Sequence, residues 1–507
     1  MSKGSLLVVI LTSLIFLGFF FKRGFAYFDE GFILHAAQRV VQGEIPYKDF
    51  DLIYTPGTIF LVAAVFKVLG ESVVIGRILT MVVGLLTSFL IYFITLKISK
   101  NKLLSFLSML IYLSWGPSHI NFPWPTLFAF SSGLFATYIL GLTMKGSFNS
   151  PSTRSGSLRM AQLSGVTLAG AMTFITFLFK QNFGFATLLA VSVSLALVRR
   201  YRWNRGLRAF VLGFILSGII FLAYLVLGNS MTPFFKNFYS YSIVNILFQG
   251  AFATSFPVGV KSLFYLLPGF ISLAAVFVAY KRQKKYIIFP LFSLFFFIFG
   301  IRPTTDYVHL TVLMATTGIP MAMFTPNLKN NIFPKYPRLI EINRNWLRLI
   351  VTYGLSITLV FIGFYTAIWK NYYRWDSPLV KQKYFISQPR AGIFVDQKFK
   401  QVIPEVVSGV LQSTKKSDYI FVFYNAPMFY FLTDRKNPTR YINFSPDFSL
   451  GKDREREVIK NLKEKKVNII VTHERPQNWG NPVISKFIVD NFRKVKEVFE
   501  FTVWEKD

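Results

Sequence analysis

Cysteine is absent from the 507 residues, so disulfides and thiolate-bound metals are excluded, and cysteine usage says nothing about the redox compartment. Carboxylates are scarce: 24 Asp and Glu stand against 56 Lys and Arg, with only four His. No internal repeat is visible, and an internal repeat is the usual mark of many transporter folds. The formal charge of +32 would suit nucleic acid if the cations formed one patch. They fall instead in short runs between apolar segments, which is how membrane orientation signals are distributed, so a nucleic-acid partner is excluded.

What the chain has in abundance is apolar sequence, 53% hydrophobic and 18% aromatic, too much for an ordinary water-soluble domain. Stretches of spanning length, roughly 20 mostly apolar residues each, recur from Ser5 onward. The first, SLLVVILTSLIFLGFFF, follows a single Lys and lacks a small-residue cleavage site, so it reads as a retained membrane helix. Basic clusters at Lys97 to Lys102, Lys145 to Arg159, Arg199 to Arg208, Lys281 to Lys285 and Lys329 to Arg348 mark cytoplasmic loops. Parity then predicts spans within 5–21 and 73–96, and near 103–116, 124–144, 163–179, 183–198, 209–228, 262–280, 287–300, 307–325 and 349–369. That makes about eleven. The apolar piece Gly57 to Leu69 is short and carries Lys67, so it is expected to lie at the outer interface. Segments 22–72, 117–123, 180–182, 229–261 and 301–306 face outward, with Lys22 and Arg23 as mild violations. The Ser/Gly-rich segment 145–162 reads as an inner loop without chemistry.

After Lys370 the charges spread evenly and the apolar runs shorten. DYIFVFYN and VNIIVTHE look like buried strands, with the helical REREVIKNLKEKK between them. The expected fold class is therefore a polytopic α-helical membrane protein over residues 1–369, carrying a small α/β domain over 370–507 on the extracytoplasmic side.

Residues 1–369 hold eight carboxylates, Asp29, Glu30, Glu44, Asp49, Asp51, Glu71, Asp306 and Glu341, and six of them crowd between Asp29 and Glu71. Acids concentrated in one outer loop of a basic membrane protein suggest function. The plainer alternative is that a loop in water tolerates acids. Asp29 and Glu30 open a predicted helix whose Phe32, Ala36, Ala37, Val40 and Val41 share a face and which Gly43 and Pro46 end. Lying flat on the membrane, this helix would aim its dipole at the pair and keep a carboxylate ionised to accept a hydroxyl proton. The alternative role for Asp29 is a simple N-cap.

The order of the Asp-Glu pair, the GEIPYKDF run, TPG before a short helix, LGESVVIGR ending at Arg77, FKQNFG around Lys180 and GIRPTTDYVHL around Arg302 resembles the polytopic glycosyltransferases of GT-C fold. It is most similar to bacterial protein O-mannosyltransferase-like enzymes and lipid A aminoarabinose transferases. That resemblance implies inverting transfer of a sugar from a polyprenyl-phosphate donor to a lipid, glycan or protein acceptor at the outer face of the inner membrane. In such a site Asp29, beside Glu30, acts as general base, and Lys180, Arg302, Arg77 and His309 meet phosphate near Asp306, with Asp49 and Asp51 contributing to substrate binding. Each has a duller reading: Lys180 snorkelling from a helix end, Arg302 and Asp306 as an i, i+4 pair, His309 as a packed polar residue, and Arg77 as an interface anchor. The second outer loop, SHINFPWPTLF, offers His119 and Asn121 but no carboxylate, which leaves a divalent-metal site open. His119 could still meet Asp29 or Asp49. The aromatic loop 229–261 is a further candidate for substrate contact. A transporter or flippase of lipid-linked sugar is the rival class, and a non-catalytic membrane scaffold ranks third.

Overall fold

Apolar runs of helical length become helices because a bilayer offers no partner for an unpaired backbone amide or carbonyl. The computed structural model describes residues 3–147, 156–198, 203–239, 260–301, 307–325, 339–370, 377–444, 451–474 and 481–507. Its first helix, α1, covers Lys3–Phe20; α2 (Asp29–Val41) and α3 (Gly57–Leu69) fill the first loop; α4 (Val73–Ser99) and α5 (Lys102–Trp115) follow. Then come α6 (Pro125–Ser147), α7 (Gly156–Phe179), α8 (Gln181–Leu197), α9 (Trp203–Leu227), the short α10 (Met231–Asn237), α11 (Val260–Arg282) and α12 (Ile288–Gly300). Helices α13 (Tyr307–Ala315), α14 (Gly318–Met321) and α15 (Leu339–Trp369) complete the bundle.

Among the described residues six stretches are long and apolar enough to cross a membrane, and six shorter apolar helices stand with them, so the chain is a polytopic membrane protein. All eleven predicted spans appear as helix, and α3 occupies the short segment expected beside them. Two boundaries differ. The single helix expected over 307–325 breaks at Thr316 and Thr317, whose hydroxyls donate to the Leu313 and Met314 carbonyls of the preceding turn. At the other, α15 begins at Leu339, well before the apolar run, because helix continues through polar flanks once one end is anchored. Residues 148–155 of the inner loop and 240–259 of the aromatic loop lie outside the described residues.

Beyond the bundle, strand β1 (Tyr384–Ile386) pairs antiparallel with β2 (Ile393–Val395). Helix α16 (Gln397–Gln412) leads to β3 (Ile420–Phe423), α17 (Met428–Thr433), α18 (Lys452–Glu464) and β4 (Ile469–His473). Helix α19 (Pro482–Asn491), β5 (Phe492–Val498) and β6 (Phe501–Lys506) end the chain, and the larger sheet runs β3-β4-β6-β5. The β3–β4 pair is parallel with α18 in the connection, the crossover expected from the strand–helix–strand pattern. This unit sits on one end of the bundle. Phe25 and Tyr27, from the turn after α1, enter its core against Phe399, Phe429 and Phe501.

Candidate active site at the end of the bundle

The turn between α1 and α2 is held by donors reaching from α4 and from the segment before α6. Arg77 donates to the carbonyls of Arg23 (3.0 Å) and Gly24 (2.9 Å), and the Asn121 amide to those of Phe20 (2.6 Å) and Arg23 (2.8 Å). The same guanidinium grips Glu30 through both carboxylate oxygens, at 2.7 and 2.6 Å, with both side chains fully buried. Burial pushes the Glu30 carboxyl up, and the charge and hydrogen bonds of Arg77 pull it back. Glu30 and Arg77, predicted respectively beside the base and on the phosphate, are thus brought together as one internal ion pair that fixes the first turn of α2.

Asp29 stands half-buried as the first helical residue. The amides that a capping side chain here would take already bond the backbone: Glu30 N–H donates to the Ala26 carbonyl at 3.1 Å, and Phe32 N–H to that of Phe28 at 2.8 Å. Below it, Gly31 lies so close to α17 that a Cβ would fall 2.4 Å from the Met428 nitrogen, while Met428 N–H donates to the Tyr27 carbonyl. Only glycine permits this approach.

Lys180 is 8% exposed at the start of α8. Its ammonium donates to Thr126 Oγ1 (2.8 Å) and lies over the rings of Tyr54 (5.3 Å) and Phe183 (5.4 Å). Thr126 also accepts from the Trp124 indole, and Trp124 meets the His309 ring edge-on at 5.9 Å. Tyr54 in turn contacts Phe32, one turn along the Asp29 face of α2. The end of the bundle therefore links Phe32, Tyr54, Lys180, Thr126, Trp124 and His309, with Asp29 one helical turn before Phe32 on α2. Arg302 and Asp306 lie outside the described residues. Sequence reasoning passed over Tyr54, Trp124 and Thr126. The two prolines flanking Trp124 in FPWPT, which force a short non-helical approach to α6, were the available signal.

Of the remaining acids of the first loop, Asp51 and Glu71 reach the C-terminal unit, and Glu44 and Asp49 bond within the loop. Asp51 bonds Arg440 at 2.7 and 3.0 Å, and Glu71 meets Arg390, which also holds Asp434. Glu44 pairs with buried Arg39, and Asp49 accepts the Ile45 amide at 2.7 Å in a turn. His119 turns away from Asp29 and Asp49, correcting the meeting considered from sequence. Its ring nitrogens face Ser118 and Thr366 at 3.1 Å, and the ring stacks on Trp115. Among the described residues no three His, Asp or Glu side chains converge on a point where a metal would fit.

His35 makes the docking of α2 sensitive to acid. Stacked on Tyr430 and hydrogen-bonded to Gln38, it is pushed down to about 3, first by burial and then by nearby Arg39. Between about 3 and its ordinary 6.5 the unfolded chain binds a proton that the folded chain refuses, so this contribution raises stability as pH rises. Melting temperature is expected to fall between pH 7 and pH 4.5. In a His35→Phe variant the dependence should shrink by one proton's worth, about 1.4 kcal/mol per pH unit. Identical slopes in the two proteins would rule out His35 as the titrating group.

A bundle of this topology, capped at one end by a small α/β unit and carrying its polar side chains there, defines a membrane protein of GT-C fold. Two solved structures cover nearly the whole chain: ArnT from Cupriavidus metallidurans bound to undecaprenyl phosphate (TM-score 0.56) and the same protein in the apo state (TM-score 0.59). Each is 12% identical, over 99% of this chain and 98% of that one. Arabinosyltransferase EmbB from Mycobacterium smegmatis aligns with 71% of this chain and 37% of its own, at 13% identity and a TM-score of 0.44. No protein-family profile and no curated protein sequence matches the chain.

Proposed function

We propose that this protein is a glycosyltransferase that moves a sugar from a polyprenyl-phosphate donor to an acceptor hydroxyl at the outer face of the cytoplasmic membrane, with inversion. The observation that carries the reading is the line from Asp29 through Phe32 and Tyr54 to the buried Lys180, a carboxylate and a desolvated cation at the same bundle end. The shared fold supports it, since ArnT of the same architecture is seen with undecaprenyl phosphate bound.

In this reading Asp29 takes the proton of the acceptor hydroxyl as its oxygen attacks the anomeric carbon, and the lipid phosphate leaves from the opposite face. Lys180 neutralises the charge developing on that phosphate, and being preorganised and buried makes it more effective than a solvated lysine. His309, edge-on to Trp124, would join it at the phosphate, as would Arg302 near Asp306. Glu30 and Arg77 are positioning residues. Asp49 and Asp51 shape the loop in which the acceptor, be it lipid, glycan or protein, would meet α2. The basic loops at the opposite end remain cytoplasmic, which puts the site and residues 370–507 outside.

The test is sugar release from a radiolabelled polyprenyl-phosphate sugar by the purified, reconstituted protein. Movement of the intact lipid across the bilayer without cleavage would favour a flippase and overturn the reading. Lys180→Ala is expected to weaken undecaprenyl phosphate binding by about 10- to 100-fold, the loss of one charge-assisted contact in a buried site. An unchanged dissociation constant would remove Lys180 from the phosphate.

A further inference from the structure

At the far end of α2, ten residues and so about 15 Å along the helix from Asp29, a second cleft opens between the first loop and the C-terminal unit. Its volume, about 480 Å³, falls within the range of roughly 300–1,000 Å³ typical of small-molecule sites. Gln42 and Lys48 line it from the first loop, and Tyr419, Lys436, Asn461 and Lys465 from the α/β unit, so it exists only when the two parts are docked.

Most of the other charges around it are already satisfied. Buried Arg39 is saturated by Glu44 and the carbonyls of Thr439 and Asp49, Asp49 takes the Ile45 amide, and Arg440 is held by Asp51. Lys48, Lys436 and Lys465 remain, facing Glu457, which leaves the cleft net positive. Two of these lysines bracket one aromatic ring: the ammonium of Lys436 lies 5.8 Å and that of Lys465 5.3 Å from the centre of half-buried Tyr419. The ammonium groups held against that ring suit a carboxylate or phosphate, and the amides of Gln42 and Asn461 suit the hydroxyls of a sugar that carries it. A fully apolar ligand would desolvate the lysines without replacing their partners, and an isolated anion would leave the amides of Gln42 and Asn461 unused.

We propose that this cleft is a binding site for an anionic saccharide, separate from the centre at Asp29 and independent of whether transfer occurs there. Binding is measured by calorimetry on the full-length protein in nanodiscs, with four probes: a galacturonate tetrasaccharide, its methyl-esterified uncharged counterpart, glucose 6-phosphate and inorganic phosphate. The uronate is expected to bind one per chain and the esterified form at least tenfold more weakly. A Lys436→Glu, Lys465→Glu double variant should lose at least tenfold in uronate affinity, and Tyr419→Ala a comparable factor. Both lysines are solvent-exposed, so folding is preserved, and unaltered undecaprenyl phosphate binding by the variant serves as its control. Glucose 6-phosphate binding tighter than the uronate would support a phosphorylated sugar as the natural occupant and the reverse order a carboxylated one, whereas glucose 6-phosphate binding more weakly than inorganic phosphate would count against a saccharide. The proposal is overturned if the charge-reversed protein binds uronate as well as the native one, or if the esterified probe or inorganic phosphate matches the uronate.

Discussion

Replacing Asp29 with Asn is expected to lower sugar transfer by about 10²- to 10⁴-fold, the range a positioned general base contributes, while leaving the amount of folded protein unchanged. The two halves of this expectation rest on different observations. Folding is spared because Asn has the same size, and the backbone around residue 29 is held by the Glu30–Arg77 pair and the Asn121 amide, both intact in the variant. Turnover is lost because an amide cannot take a proton at neutral pH. Product formed per minute from a lipid-linked donor, read against a size-exclusion profile of the same preparation, separates the two. A monodisperse variant that kept a tenth or more of native turnover would exclude Asp29 as the base. Undecaprenyl phosphate affinity should not change, since that is assigned to Lys180 at the other end of the Phe32–Tyr54 contact.

Much of this organisation was legible in the sequence because the signals for it are local. Twenty apolar residues in a row need no distant partner to become a span, and the alternation of basic clusters places helix ends without knowledge of packing. The strand–helix–strand order after residue 418 likewise implied a parallel pair, and β3 and β4 form it. The crowding of acids between Asp29 and Glu71 was visible too, but its meaning was not. Asp51 meets Arg440, and Glu71 meets Arg390, contacts spanning more than 300 residues that no periodicity can report. Two members of that cluster, Asp51 and Glu71, also fasten a basic C-terminal unit, while Glu30, Glu44 and Asp49 bond within the first 77 residues. The same blindness hid the second cleft, lined by five residues of the first loop and nine of the C-terminal unit.

Arg77→Met is expected to cost about 3–5 kcal/mol of stability, the usual penalty for stripping one partner from a buried ion pair, and to abolish transfer along with the fold. The cost should be high here because Arg77 carries four roles at once: two bonds to Glu30 and two to the carbonyls of the turn that leads into α2. Removing it leaves a carboxylate with neither solvent nor cation and takes the side-chain donor from the Gly24 carbonyl, while the Arg23 carbonyl keeps only the Asn121 amide. Glu30→Leu alone strands the guanidinium in the same way. The double variant Arg77→Met, Glu30→Leu distinguishes a pair that merely fills space from one that positions the base. Thermal stability in detergent should recover, because an apolar pair of similar volume avoids the desolvation of two charges. Transfer should stay at least tenfold down, because the Gly24 carbonyl loses its guanidinium donor and the Arg23 carbonyl is left with the Asn121 amide alone to set the approach to Asp29. Full recovery of both stability and transfer would mean that the pair has no part in holding the site. Recovery of neither would mean that the turn depends on the Arg77–carbonyl bonds for folding itself.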